Sequence, residues 1–199
     1  MTVSVNPGAS PLILASASPR RHELLTAAGL AHTVLTSEAD ETLPAGISPA
    51  DAVEMLSARK AAAVLPIAPE GSLIVAADTV VALAGEILGK PKDEADASRM
   101  LTALSDGEHH VYTGVTVTDG VKTVTAHACT AVRMRKITRA EIDAYIRTGE
   151  PMDKAGAYGI QGRAALFVSG IEGDYANVVG LPLSLLGDIL TREFGRPLF

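Results

Sequence analysis

One cysteine, Cys129, stands in a chain of 199 residues. A lone thiol builds neither a disulfide framework nor a thiolate metal site, and a reducing cytoplasm is the compartment that fits. Placed in a strand, Cys129 is expected to be a small core residue. Positive charge is also scarce: 17 Lys and Arg against 23 Asp and Glu leave a net charge of −6 at pH 7. With an isoelectric point near 5.3, that balance argues against general binding to DNA, RNA or an anionic membrane. A phosphorylated ligand would need cations gathered locally inside an acidic protein. Long apolar runs are missing too. The longest nearly uncharged one, residues 73–84, is interrupted by Asp78 and is too short to span a bilayer. Residues 1–8 show neither the basic nor the apolar segment of a secretory leader, so a soluble cytoplasmic protein is expected. Internal repeats, low-complexity linkers, a Walker-type loop, zinc-like histidine spacing and a nucleophile elbow are all absent, which disfavours covalent acyl chemistry.

What remains is a chain with 47% hydrophobic residues, enough for one substantial core and a single domain over residues 1–199. Strand and helix patterns alternate. Leu12-Ile13-Leu14-Ala15 reads as a buried strand, and residues 31–35 as a short one followed by an acidic loop with Glu38, Asp40 and Glu41. Ser48-Pro49 opens a helix whose apolar face is Ala52, Val53, Leu56, Ala63 and Val64. Residues 73–83 form a long apolar strand, and Asp93 caps a helix running to about Leu104. Strands over 109–118 and 121–132 are joined by Asp119-Gly120, a hairpin signal. Thr138-Arg139-Ala140-Glu141 is a capping box that opens a further helix ending at Gly149. A glycine-rich loop over 150–163 leads to a strand over 164–169, and a last helix runs from Ser184 to about Glu193. The order implies an α/β fold with a mixed sheet, because the hairpin forces an antiparallel part. Whether the 90–135 region forms a second lobe around a cleft stays open at this level.

The densest chemical signal is Ala15-Ser16-Ala17-Ser18-Pro19-Arg20-Arg21, a strand, a tight small-residue loop and a helix start with Ser18 at the N-cap and Pro19 at N1. Such a junction offers backbone N–H groups and the positive end of a helix dipole to an anion. Arg20 and Arg21 oppose that dipole by roughly 0.3–1 kcal/mol each, an arrangement that suits a docked polyanion. Asp78 interrupts an apolar strand, where an unpaired carboxylate is costly. Lys90 follows Gly89 and precedes Pro91. The segment Asp153-Lys154-Ala155-Gly156-Ala157-Tyr158-Gly159-Ile160-Gln161-Gly162 has three glycines that could admit a ligand to the backbone. Its Lys154 adds charge, and the Gln161 amide can read a base edge. His109 and His110 are adjacent in a strand, point to opposite faces and are read as structural. Four cations (Arg20, Arg21, Lys90, Lys154) with two carboxylates (Glu41, Asp78) are equipment for metal-assisted phosphoryl or nucleotidyl transfer.

These blocks, with Ala77-Asp78-Thr79, Gly89-Lys90-Pro91, Thr113-Gly114-Val115 and Val179-Gly180-Leu181-Pro182, resemble the Maf family of nucleoside triphosphate pyrophosphatases. The resemblance runs in order from about residue 11 to 185, with one departure at Ser105-Asp106-Gly107, in a helix-to-strand turn. It implies a fold similar to inosine-triphosphate pyrophosphatases, a mixed twisted sheet flanked by helices around a central cleft. It also implies hydrolysis between the α and β phosphates of a nucleoside triphosphate with a divalent metal, Mg²⁺ or Mn²⁺. By the same resemblance Asp78 is the catalytic base and Glu41 its acidic partner at the metal. Ser16, Arg20, Arg21, Lys90 and Lys154 are the phosphate grip, Lys90 counting also with the catalytic pair. Arg20, Thr79 and Gln161 match positions tied to nucleotide choice, in the combination that favours dTTP and UTP. The alternatives it carries are 7-methyl-GTP, a broad range of modified nucleotides, or a nucleotide-binding regulator of septum formation with little turnover. A homodimer is a family expectation; no nucleic acid polymer or membrane partner is expected.

Overall fold

The computed structural model describes residues 10–36 and 38–199, so the expectation about residues 1–8 lies outside the described residues. Its elements follow the expected order: β1 (Leu12–Leu14), α1 (Pro19–Ala27), β2 (Thr33–Val34), α2 (Pro49–Val64), β3 (Leu73–Leu83) and β4 (Glu86–Leu88). Then come α3 (Glu94–Leu104), β5 (Glu108–Thr118), β6 (Thr123–Met134), α4 (Arg139–Ile146), β7 (Val168–Glu172), α5 (Tyr175–Val179) and α6 (Leu183–Asp188). Among the described residues the strands make one mixed, seven-stranded sheet ordered β2-β1-β3-β5-β6-β7, with β4 paired to the end of β3. β1 lies parallel to β2 and β3, whereas β3, β5, β6 and β7 pair antiparallel in turn. No helix among the described residues is long and apolar enough to cross a membrane.

β3 positions the rest. Its odd-numbered residues face two apolar clusters: Leu73, Val75 and Ala77 pack with β1, β5 and α6, while Val81 packs with α3, α4 and the 157–160 loop. Thr79 lies between them on that face. Its even-numbered residues Ile74 and Ala76 face α2, through Ala61 and Val64. Asp78 continues this second face. The seating of α2 depends on Gly114, which pairs with Asp78 in the sheet. A Cβ at Gly114 would lie 2.2 Å from the Val53 carbonyl oxygen, so only glycine lets the α2 backbone rest directly on β5.

Three local expectations change. Residues 164–169 are not one strand: Arg163–Leu166 is a 3₁₀ turn and β7 starts at Val168. The Glu150 carboxylate accepts the Arg163 N–H at 2.9 Å and Phe167 N–H returns to Ala164 at 2.9 Å, winding a segment whose composition alone suited a strand. Cys129 is exposed rather than buried. On β5 and β6, α2 reaches as far as Thr116 and His127, where Ser57 Oγ meets Thr116 Oγ1 at 2.9 Å and Glu54 Oε1 lies 2.7 Å from His127 Nδ1, and Cys129 beyond it is left open. The short helix α5 has no sequence periodicity to announce it. Its Asp174 caps it by accepting from Ala176 N–H at 2.7 Å, and Gly180 ends it.

Candidate active site

The two carboxylates meet on a cation that the sequence reading passed over. Lys60 Nζ lies 2.5 Å from Asp78 Oδ1 and 2.9 Å from Glu41 Oε1. Asp78 comes from the even face of β3 and its side chain is only 13% exposed, whereas the Glu41 side chain is 64% exposed. Glu41 is placed by α2: Arg59 Nη1 donates to the carbonyls of Asp40 and Thr42 at 3.1 and 2.7 Å. Thr42 N–H donates to Asp40 Oδ1 at 2.9 Å, closing an Asx turn around Glu41. The hydrogen bond and charge of Lys60 hold the Glu41 carboxyl below its ordinary range, with smaller help from Lys90 and Arg21. Lys60 was detectable as a cation on the apolar stripe of α2, four residues after Leu56 and four before Val64. Glu41, Lys60 and Ser16 line one cleft of about 450 Å³.

The paired arginines of α1 part ways. Arg21 turns inward: Nε donates to Gly180 O at 2.7 Å, Nη1 to Ser16 Oγ at 3.1 Å and Nη2 to Thr79 Oγ1 at 3.0 Å. Burial lowers its pKa, with Asp78 opposing that shift. Arg20 turns toward the glycine-rich loop and approaches Asp153 Oδ2 at 3.9 Å. Ser18 occupies the N-cap without a side-chain cap to the helix, and its own N–H donates to Ser16 Oγ at 3.2 Å. The first turn of α1 thus keeps amide donors available beside Ser16. Arg21 ties α1 to β3 and to the turn after α5, so its removal would cost the unliganded fold. A charge opposed to the helix dipole had suggested the reverse.

The loop after α4 is folded against the protein. Lys154 Nζ donates to Glu150 O at 2.7 Å and pairs with Asp153 Oδ1 at 2.6 Å. Gly156 has φ +67° and lies against Val81, Gly159 makes room for the Lys154 stem, and Gly162 makes room for the Glu150 carboxylate. These glycines, expected to admit a ligand to the backbone, admit the protein's own side chains. Ala157 follows Gly156 at φ +61° although it is not glycine, a strained conformation held by full burial. Gly156 N–H donates to Gly89 O at 3.0 Å, which joins this loop to the one carrying Lys90. Tyr158 roots it further, with its hydroxyl 2.8 Å from Nε2 of buried His109. Lys90 and Gln161 are exposed, and no hydrogen bond among the described residues holds the Gln161 amide.

Asp78, Glu41, Ser16, Arg21 and Thr79 are therefore gathered around β1 and β3. Arg20 and Lys154 share Asp153 at the loop side. Two hard carboxylate oxygens within reach of one ammonium suit a divalent cation of the kind that takes one or two protein carboxylates and completes its shell with phosphates. No group of three or more His, Cys, Asp or Glu among the described residues could cage a metal unaided. The donor set fits a metal shared with a polyphosphate.

The sequence pattern of the Maf-like protein family matches residues 11–193, a span containing every residue of this site. A dTTP/UTP pyrophosphatase of Pelotomaculum thermopropionicum is 50% identical over 92% of this chain and 96% of its own. One of Moorella thermoacetica is 53% identical over 91% and 94%, respectively. Among solved structures, the Ham1 protein of Staphylococcus aureus overlaps 63% of this chain and 72% of its own, with TM-score 0.46 and 14% identity. Identity near one half along almost the whole length leaves no ambiguity of descent: the chain belongs to the Maf-like protein family.

Proposed function

We propose that this protein hydrolyses dTTP and UTP to the nucleoside monophosphate and pyrophosphate. The observation that carries the reading is the convergence of Glu41 and Asp78 on one cation beside the Ser16-lined cleft. A site built only to bind a polyanion gains nothing from carboxylates aimed at phosphates. Relatives named dTTP/UTP pyrophosphatase at about half identity support the substrate class.

In this reading the triphosphate lies across the start of α1, where Ser16, free amide groups and the remaining N–H groups of Arg21 meet its oxygens. Arg20, Lys90 and Lys154 close on it from the loops, Lys154 exchanging its contact with Asp153 for phosphate. Asp78 takes the proton of the attacking water. The new bond forms between that water's oxygen and the α phosphorus, the bond from the α phosphorus to the oxygen bridging to the β phosphorus breaks, and pyrophosphate leaves. Lys60 keeps the two carboxylates side by side before substrate arrives. Asp78 and Glu41 would hold a divalent cation, which when bound neutralises phosphate charge. Thr79 and Gln161 contact the base.

The test is pyrophosphate release from a panel of nucleoside triphosphates, 7-methyl-GTP included, with Mg²⁺ or Mn²⁺. Release from dTTP and UTP well above the rest is expected. Faster release from 7-methyl-GTP would reassign the substrate, and tight binding without release from any member would reassign the protein as a nucleotide-responsive binder.

A further inference from the structure

The hydroxyl of Thr113 is fully buried and makes two hydrogen bonds, one to Asn177 O at 2.9 Å and one to Thr79 Oγ1 at 2.9 Å. A carbonyl oxygen only accepts, so the single Thr113 proton goes to Asn177. Toward Thr79 the Thr113 oxygen then has only a lone pair to offer, and the Thr79 proton must point at it. Arg21 Nη2 donates to the Thr79 oxygen from another side at 3.0 Å. The chain has one direction: Arg21 to Thr79, Thr79 to Thr113, Thr113 to Asn177 O. Its far end is anchored, because Asn177 is fully buried and its Nδ2 donates to Val111 O and Thr130 Oγ1, both at 2.9 Å.

We propose that Thr113 is a positioning residue that fixes the polarity of Thr79 and the seat of Arg21, so that Thr79 meets a bound nucleotide as a hydrogen-bond acceptor only. An oxygen whose proton is committed inward has one lone pair left for ligand. It selects a donor. Resting on the reading of Thr79 as a base contact, this polarity favours the N3–H of uracil and thymine and repels the N3 lone pair of cytosine. A threonine free to rotate its hydroxyl would serve either base. The same chain holds one edge of the Arg21 guanidinium, leaving its uncommitted N–H groups aimed by geometry rather than by induced fit.

The experiment compares wild type with Thr113→Val, Thr113→Ala and Thr113→Ser. Binding of the α,β-methylene analogues of UTP and CTP is measured by titration calorimetry, beside kcat/KM for UTP and CTP. Wild type is expected to prefer the uracil nucleotide. Thr113→Val, which frees the Thr79 proton, should narrow the preference by about tenfold, while Thr113→Ser keeps it within about twofold. A merely structural residue would lower both nucleotides together and leave the ratio alone. A folded Thr113→Val with the wild-type ratio overturns the proposal, and Thr113→Ala, which also removes the hydroxyl, decides in the same way should the valine variant fail to fold. Proton direction is read independently in wild type by NMR. A slowly exchanging Thr79 hydroxyl proton with an NOE to the Thr113 side chain supports the chain, and its absence overturns it. Lack of uracil preference in wild type with that NOE present rejects the base contact of Thr79, not the hydrogen-bond direction.

Discussion

Adjacent residues of one strand, Asp78 and Thr79, face two differently built halves of the site. On the Asp78 face the partners are charges on adaptable supports: the Lys60 ammonium at the end of a flexible stem, and Glu41 on a loop with a largely exposed side chain. On the Thr79 face they are the inward-turned Arg21 guanidinium, two hydroxyls and a carbonyl in a buried, directional row. An ammonium is a point charge that another cation or a phosphate can displace or join. A directed row of hydrogen bonds costs little reorganisation when ligand arrives. On the proposed function, the contrast puts adjustable electrostatics where bonds would change and fixed polarity where a base would be told from its neighbours.

The most severe way to break the Asp78 face is Asp78→Asn. The amide keeps the shape and can still accept from Lys60, while Glu41 remains to balance the ammonium, so the fold should persist. Turnover should fall by about 10²–10⁴-fold, the usual scale for losing a general base. Pyrophosphate release above a tenth of wild type, with an unchanged circular dichroism spectrum, would remove Asp78 from that role.

Gly114→Ala attacks the support rather than the chemistry. The added methyl would meet the Val53 carbonyl at 2.2 Å, and backbone cannot swing aside as a side chain can. α2 must lift, carrying Lys60 and Arg59 from the carboxylates. The expected cost is about 3 kcal/mol or more in urea unfolding, beyond the usual overpacking penalty, with turnover falling in step. A variant as stable as wild type would mean that α2 does not rest on β5 as closely as described.

Acid separates the two faces. His109, on the Thr79 face with Val111 and Thr113, is buried and its pKa is pushed down from 6.5 to about 4, with His110 adding a smaller effect. The unfolded chain binds that proton below pH 6.5 and the folded chain does not. Stability is therefore complete above about pH 6.5 and declines toward pH 4, by about 3 kcal/mol from this group. Glu41 has the opposite charge type and a carboxyl lowered from 4.5 by Lys60. Its stabilisation is present above that value and is lost only as pH falls through its lowered folded value. Unfolding free energies at pH 7.5 and 5 should differ in wild type and much less in His109→Asn. An equal slope in both would place the titration elsewhere.

Much of this was legible in the sequence because it was local. The Ser48 and Thr138 caps, the Asp119-Gly120 hairpin and the β1–α1 junction each depend on residues within a few positions of one another. Asp78 was conspicuous because a carboxylate interrupts an apolar strand. Lys60 stood out only as a cation on the apolar stripe of α2, and its role was hidden because such a lysine resembles a solvated one until the partner strand is known. Thr113 and Asn177 were hidden for a deeper reason. A polar row buried between two apolar clusters is satisfied by residues 34 and 64 positions apart, and no window on the chain contains it. The glycines of the 153–162 loop were visible but misread, since close approach to a ligand and close approach to Val81, Lys154 or Glu150 require the same residue.

The smallest expected effect concerns the other proposed base contact. Gln161 is exposed, and its amide is held by no hydrogen bond among the described residues, so unlike Thr79 it can present either its donor or its acceptor. An amide free to turn complements uracil in one orientation and cytosine in the other, and it strengthens binding of both. Gln161→Ala should therefore lower kcat/KM for UTP and CTP by similar factors, changing their ratio by less than about fivefold, or about 1 kcal/mol. Thr79→Val, which removes the committed acceptor, should shift the ratio more. Measuring both variants with both nucleotides ranks the two contacts directly. A larger ratio change in Gln161→Ala would show that the bound base fixes the Gln161 amide in one orientation, and that selectivity is made on binding rather than set in advance by the buried row behind Thr79.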